Sequence, residues 1–276
     1  MSRVNLKKVI ASIAILGIGC AKSSGSAVST SLSMTGSSQP TSIANYKTQH
    51  PLLKFLSPAA VAFAPPAMND STGRVVALNK AWIVIKEVEF KMEEIAGATE
   101  SNSSEIKFRG PYFVDLLSSI PAAFGTTEVP AGIYRRIKMK LEKDAALPAG
   151  APAQLAGKSI YLEGTVSGVQ ISYAAADGTE FKISGPGGVS LNDTANMVVG
   201  IKIADLFKMI NLSGISATTA ISETNRVSGM NLCPLIDTSA ADLFTCFRKG
   251  LEKAGKFGKD DNGNGEIETG EDEVQN

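Results

Sequence analysis

The chain has 276 residues, 43% hydrophobic and 20% charged, enough apolar content for one or two cores and too little charge for a disordered polyelectrolyte. Lys+Arg and Asp+Glu both total 27, so no net basic field exists to hold nucleic acid by counterion release. The single histidine, His50, lies in a polar stretch, which argues against Ser-His-Asp or Cys-His catalysis, a His-rich zinc site, a facial iron triad, and hence most hydrolase chemistry.

Residues 1–19 read as a secretory signal peptide: Arg3, Lys7 and Lys8 form a positive start, and Val9 to Gly19 is an uncharged, mostly apolar run too short to span a bilayer. The run ends in Leu16-Gly17-Ile18-Gly19-Cys20, which resembles the lipobox of bacterial lipoproteins, although Leu16 stands one position earlier than in that pattern. The resemblance implies that Cys20 is lipidated and becomes the mature N-terminus, and that Ala21 after it favours the outer membrane. Two or more acyl chains on Cys20 would anchor the protein stably. The alternative is ordinary cleavage after Ala21. Residues 20–50 are rich in Ser, Thr, Gly and Ala, a composition that predicts a flexible tether with His50 as a solvated residue at its end.

From 51 to 212 a period of two dominates, which predicts half-buried strands. Trp82, Val84, Val88, Phe90 and Met92 fall on one face, with Glu87, Glu89 and Lys91 on the other. Ile133, Ile137, Met139 and Leu141 alternate with Tyr134, Arg136, Lys138 and Lys140, and Arg135 falls on the apolar face, where it needs a carboxylate such as Asp115 or a strand end. Val169 to Tyr173 and Phe181 to Ile183 flank Asp177-Gly178 as a hairpin, Gly185-Pro186-Gly187-Gly188 reads as a turn, and Met197, Val199, Ile201 and Ile203 form another strand before a short helix near 204–211. The fold class is mainly β: an antiparallel β-sandwich, with a connector over 213–236 and a C-terminal amphipathic helix and acidic loop over 237–276.

Asp115-Leu116-Leu117 and Val129-Pro130-Ala131-Gly132-Ile133-Tyr134-Arg135-Arg136-Ile137-Lys138 resemble the D-L-L and P-A-G-x-Y-x-x-I-[RK] pattern of a domain-of-unknown-function family common in bacterial secreted lipoproteins. The resemblance implies a transthyretin-like or immunoglobulin-like sandwich over about 70–205, and it carries no catalytic residues.

Two groupings on the strands invite a functional reading. Glu87, Glu89 and Glu93 share a face, as paired carboxylates in glycoside chemistry do, but a solvated strand face accounts for them as well. Tyr134, Arg136, Lys138 and Lys140 set an aromatic beside three cations, a possible ligand face for anionic glycans or lipids, or simply a charged face that resists aggregation.

Near the C-terminus, Cys233 and Cys246 form an even pair in a chain read as exported, so a disulfide is expected. Leu243, Phe244, Phe247, Leu251 and Ala254 repeat at helical spacing, which predicts an amphipathic helix from Ser239 to Ala254 with Ser239 and Asp242 as a capping box. Asp260 to Glu271 then fits the calcium-loop pattern D-x-[DN]-x-[DN]-G-x5-E of EF-hands, with Asp260, Asn262, Asn264, Glu266, Glu268 and Glu271 as candidate metal ligands and Gly265 at the sharp turn. Too few residues follow for an exiting helix, and the competing reading is an acidic disordered tail.

Together these features describe a non-enzymatic, lipid-anchored cell-envelope protein, an outer-membrane lipoprotein with a structural or binding role. Its expected cofactor is calcium and its expected partner the membrane. With few carboxylates and no paired loop, calcium should bind with a dissociation constant on the order of 10⁻⁴ to 10⁻³ M. Calorimetric titration of the protein and of Glu271→Gln checks this: heats that disappear in the variant support the site, and equal heats in both remove it.

Overall fold

The computed structural model describes residues 27–36, 68–92, 106–118, 120–143, 147–176, 178–263, 267 and 273–275. Its first element corrects the expected tether. Val28, Thr30, Leu32 and Met34 alternate with Ser29, Ser31 and Ser33, and this strict period of two forms strand β1 (Ala27–Thr35), whose even-numbered side chains are buried. The small serines gave the segment a linker-like composition while its buried face carried core residues.

The remaining strands are β2 (Met68–Asn69), β3 (Val75–Met92), β4 (Ile106–Asp115), β5 (Ala122–Pro130), β6 (Gly132–Leu141), β7 (Ile160–Val166), β8 (Val169–Ala175), β9 (Thr179–Leu191), β10 (Ala195–Ile201), β11 (Thr219–Ile221), β12 (Gly255–Lys259) and β13 (Glu273–Gln275). Two helices join them, α1 (Ile203–Lys208) and α2 (Leu243–Lys253). One sheet runs β13-β12-β10-β1-β5, and the other β11-β8-β7-β3-β6-β9 with β2 and β4 also on β3. The class is the expected mainly-β sandwich, with two departures from antiparallel pairing: β1 runs parallel to β10, and β11 parallel to β8. The connector therefore contributes a strand, and the C-terminal region contributes β12 and β13. Among the described residues, no helix is long and apolar enough to cross a membrane.

The sheets approach each other at both edges. Tyr112 of β4 stacks on Phe124 of β5 at 4.4 Å and donates its hydroxyl to the Phe124 carbonyl at 3.0 Å. At the other edge β9 lies against β13, where a Cβ on Gly185 would stand 2.7 Å from the Gln275 carbonyl oxygen. The expected turn at Gly185 to Gly188 is thus an irregularity within β9, and its glycines admit the neighbouring backbone. Between the sheets, Phe90 of β3 meets Phe257 of β12 edge-on at 6.2 Å.

The expected Asp177-Gly178 hairpin does not pair. β8 bonds to β7 and β11, whereas β9 bonds to β6, and Asp177 itself lies outside the described residues. The hairpin here joins β7 to β8 through Ser167 and Gly168, both with positive φ (49° and 83°), the backbone a two-residue hairpin turn requires. The β7-β8-β11 wing buries its inner face against the helices, with Tyr173 stacked on Phe247 at 4.9 Å and Phe207 edge-on to Phe247 at 5.8 Å. Helix α2 starts later than expected because Asp242 is its N-cap and accepts from the Thr245 N–H at 2.7 Å, while Ser239 bonds to Asp237. The apolar helix face is as read: Leu243, Phe244, Phe247, Leu251 and Ala254 are all buried.

A buried carboxylate ties the turn after β2 to the chain after α1. Asp70 accepts from the Thr72 N–H and hydroxyl and the Arg74 N–H, each at 2.8 Å, and from the Leu212 N–H at 2.9 Å. Burial pushes the Asp70 carboxyl up, but the hydrogen bonds from Arg74, Thr72 and Leu212 outweigh it and hold the group below its ordinary value. Asp70→Ala should therefore cost about 2–4 kcal/mol in urea unfolding. Because the folded-state pKa is depressed, this contribution is complete above the ordinary aspartate range and fades as pH falls below about 4. Wild type and variant should converge in stability under acid, and a constant gap across that range would contradict the assignment.

Candidate functional site

Bulges decide which side chains reach the surface. β3 shifts register against β7 between Leu78 and Lys80 and against β4 and β6 between Ile85 and Glu87. Each extra residue reverses the inward parity, so Val76 and Leu78, then Ala81, Ile83 and Ile85, then Val88 and Phe90 face the core. Trp82 and Val84 consequently stand on the opposite face from Val88 and Phe90, which corrects the single-face reading. A third shift, between Tyr134 and Arg136, does the same to β6.

That shift takes Tyr134 out of the expected Tyr134, Arg136, Lys138, Lys140 face, on which exposed Arg136 and half-buried Lys138 and Lys140 remain. Tyr134 is fully buried and donates its hydroxyl to the Pro130 carbonyl at 2.8 Å, and burial pushes the phenol up to about 12. Ile133, expected inside, is 43% exposed, and Arg135 lies on the surface rather than on the apolar face. Asp115, its suggested partner, instead accepts from the Leu117 N–H at 2.9 Å and shapes the turn that buries Leu116. The P-A-G-x-Y and D-L-L patterns thus have structural work: one clasps the β5–β6 corner and the other turns the chain after β4.

The lysines of the stripe are engaged. Lys140 pairs with Glu87 at 2.7 Å and Lys138 with Glu180 at 2.7 Å. Glu87 also faces Arg109 at 3.8 Å, and buried Glu89 lies 3.5 Å from Lys91 and 3.8 Å from Lys107. Acidic and basic side chains therefore alternate across β4-β3-β6-β9, and this ladder accounts for Glu87 and Glu89 without catalysis. Glu93 lies outside the described residues. The hydrogen bond from Lys140 holds Glu87 below the ordinary glutamate value against the opposing effect of burial, and the same bond raises Lys140.

The C-terminal motif starts at a fixed point. Asp260 is buried, donates its N–H to the Asn196 carbonyl at 2.7 Å, and accepts from the Gly263 N–H at 2.6 Å. Asn262 is exposed, while Asn264, Glu266, Glu268 and Glu271 lie outside the described residues. Ile267 is buried, and its carbonyl accepts from the buried Lys256 ammonium at 2.6 Å. The segment leaves β12 and returns as β13, so the motif connects two antiparallel strands instead of two helices. Cys233 and Cys246 are disulfide-bonded, with Cα atoms 5.7 Å apart, and the bond pins α2 to the segment before it. Cys20 and His50 lie outside the described residues.

The surface feature that sequence reading missed is on the outer face of β4, β3, β7 and β8. Phe113, Trp82 and Tyr161 form an aromatic row, Trp82 edge-on to Phe113 at 6.5 Å and stacked with Tyr161 at 5.8 Å. The Lys80 ammonium lies 5.6 Å from the Trp82 ring centre and 3.0 Å from Glu163. Beside Tyr161 opens a cleft of about 280 Å³, lined by Asn79, Glu163, Thr165, Gln170, Ser172 and Thr218. Tyr161 donates its hydroxyl to Glu163, and burial together with that bond raises the phenol to about 12. The same bond, with one from Lys80, lowers Glu163.

No family model matches the chain, and no curated protein or solved structure matches it.

The ladder makes a specific prediction. In Lys140→Gln, Glu87 loses its main stabilising donor, so its carboxyl should move up toward the ordinary glutamate value of about 4.3. Stability should fall by no more than about 1 kcal/mol, since the pair is partly solvated. Side-chain NMR titration reads the first and urea unfolding the second; an unmoved Glu87 titration would dissolve the ladder.

Proposed function

We propose that the chain is a non-enzymatic, lipid-anchored protein of the cell envelope with a structural or binding role. The observation that carries the reading is the start of β1 at Ala27, so soon after Cys20 that the chain between them reaches at most about 25 Å when fully extended. Acyl chains on Cys20 would thus hold the domain at the membrane surface, through a strand that sits inside the first sheet. The Cys233–Cys246 disulfide supports an oxidising compartment. Calcium at the Asp260 motif would act as a stabilising ion toward the same end of the first sheet, because β12 ends at Lys259 beside Met197, near the start of β10, and β10 runs parallel to β1 with Met197 beside Leu32. The second reading, an anionic ligand on the Tyr134 stripe, loses its aromatic member with Tyr134 in the core and is weakened by the pairing of Lys138 and Lys140 with glutamates.

Mass spectrometry of the mature N-terminus tests the anchor. The expected species begins at an acylated Cys20, and Cys20→Ala should move the protein from the membrane to the soluble fraction. An unmodified N-terminus at Lys22 would overturn the proposal.

A further inference from the structure

The cleft beside Tyr161 has the chemistry of a ligand site. Its floor comes from outward-facing positions of adjacent strands, since Thr165 is opposite Gln170 and Glu163 opposite Ser172 in the β7–β8 register. Asn79 and Thr218 complete the wall, and the Tyr161 ring closes one end. Amides and hydroxyls both donate and accept hydrogen bonds, so this lining matches a ligand made of hydroxyl groups. Glu163, the charged side chain of the lining, is matched by Lys80 and accepts from the Tyr161 hydroxyl, while Lys158, 5.8 Å from the Tyr161 ring centre and bonded to the Gln154 carbonyl, stands outside the lining. The lining itself therefore offers no unmatched charge to an ionic ligand. Trp82 and Tyr161, both half-buried, add apolar ring area next to the polar lining, the combination that receives a ring with one apolar face and a polar rim.

The backbone is shaped for the cleft as well. Asn79 is the extra residue of the first β3 bulge, and Gly164 stands opposite that bulge. A Cβ on Gly164 would lie 2.1 Å from the Ala77 carbonyl oxygen, so the bulge that presents Asn79 exists only with glycine beneath it.

We infer that this cleft and the adjoining Trp82–Tyr161 pair form a binding site for neutral oligosaccharides. The inference gives a ligand class to the binding role proposed above, and it does not depend on the lipid anchor. Trp82 is the only tryptophan in the chain, so its fluorescence reports on this site alone.

The test titrates the full chain, in detergent, with cellohexaose, maltohexaose, mannohexaose and chitohexaose while Trp82 emission is followed. At least one sugar should change the emission saturably with a dissociation constant on the order of 1 mM, as few buried polar contacts allow. Asn79→Ala combined with Gln170→Ala, both at exposed positions, should weaken that binding about tenfold or more and leave the melting temperature unchanged, while Lys138→Ala should bind as wild type. Silence with all four sugars up to about 10 mM, binding unweakened in the double variant, or an equal response to a sulfated polysaccharide would overturn the inference. The N-terminal mass measurement is separate, so either proposal can fail without the other.

Discussion

The long strand β3 sets the terms for the rest of the molecule. It must pair with β7 along its first half, with β6 along its second, and with β2 and β4 on the opposite side. A regular strand of 18 residues would keep one face to one core, yet the coiled sheet turns past that core along its length. Two bulges resolve the conflict by resetting which side chains point inward, and they add the local bend that lets β4 reach β5 and β9 reach β13. Remove either extra residue and a block of apolar side chains would rotate to solvent while a block of charged ones rotated inward.

Polar contacts then fix a geometry that apolar burial alone leaves adjustable. Asp70 links the turn after β2 to the chain after α1, and Arg74 beside it donates to the Leu212 carbonyl. Lys256, buried under the β12–β13 connection, bonds to the Ile267 carbonyl and lies 3.7 Å from Glu273. These groups sit where segments distant in sequence meet, so each enforces one arrangement among several that would bury similar area. Tyr173 and Thr30 are exceptions: their hydroxyls are buried without a hydrogen-bond partner among the described residues, and packing against Phe244 and Phe247 is what holds the Tyr173 ring.

The sequence made the class legible because period-two patterning survives bulges locally. It failed on facing, because a bulge is defined by the partner strand and leaves no mark on its own chain. Trp82 and Phe90 are in phase by simple counting and on opposite faces in the fold, and Tyr134 exchanged places with Ile133 for the same reason. β1 was missed for another cause: its serines dominated the composition although Val28, Leu32 and Met34 carried the pattern. Asp-Gly at 177–178 drew attention away from Ser167-Gly168, a weaker turn signal that made the hairpin. The cleft was out of reach, since Asn79, Gln170 and Thr218 gain meaning only when β3, β7, β8 and β11 bring them side by side.

The same strand also determines how far apart the two ends of the molecule lie. Met92 pairs with Tyr134 near the start of β6, and Pro130, just before that start, pairs with Ala27 at the beginning of β1. The C-terminal end of β3 therefore lies toward Ala27, where β1 begins, while Asn79 and the cleft belong to its other half. At strand rise, Asn79 and Met92 are separated by about 40 Å. A chain anchored through Cys20 would hold its membrane-proximal end by β1 and carry the cleft on the far part of the same framework, clear of the headgroups. A long flexible tether would achieve that clearance only on average. A strand that is hydrogen-bonded along its length instead fixes the distance between Ala27 and the cleft, which is the mechanical consequence of β1 being part of the sheet.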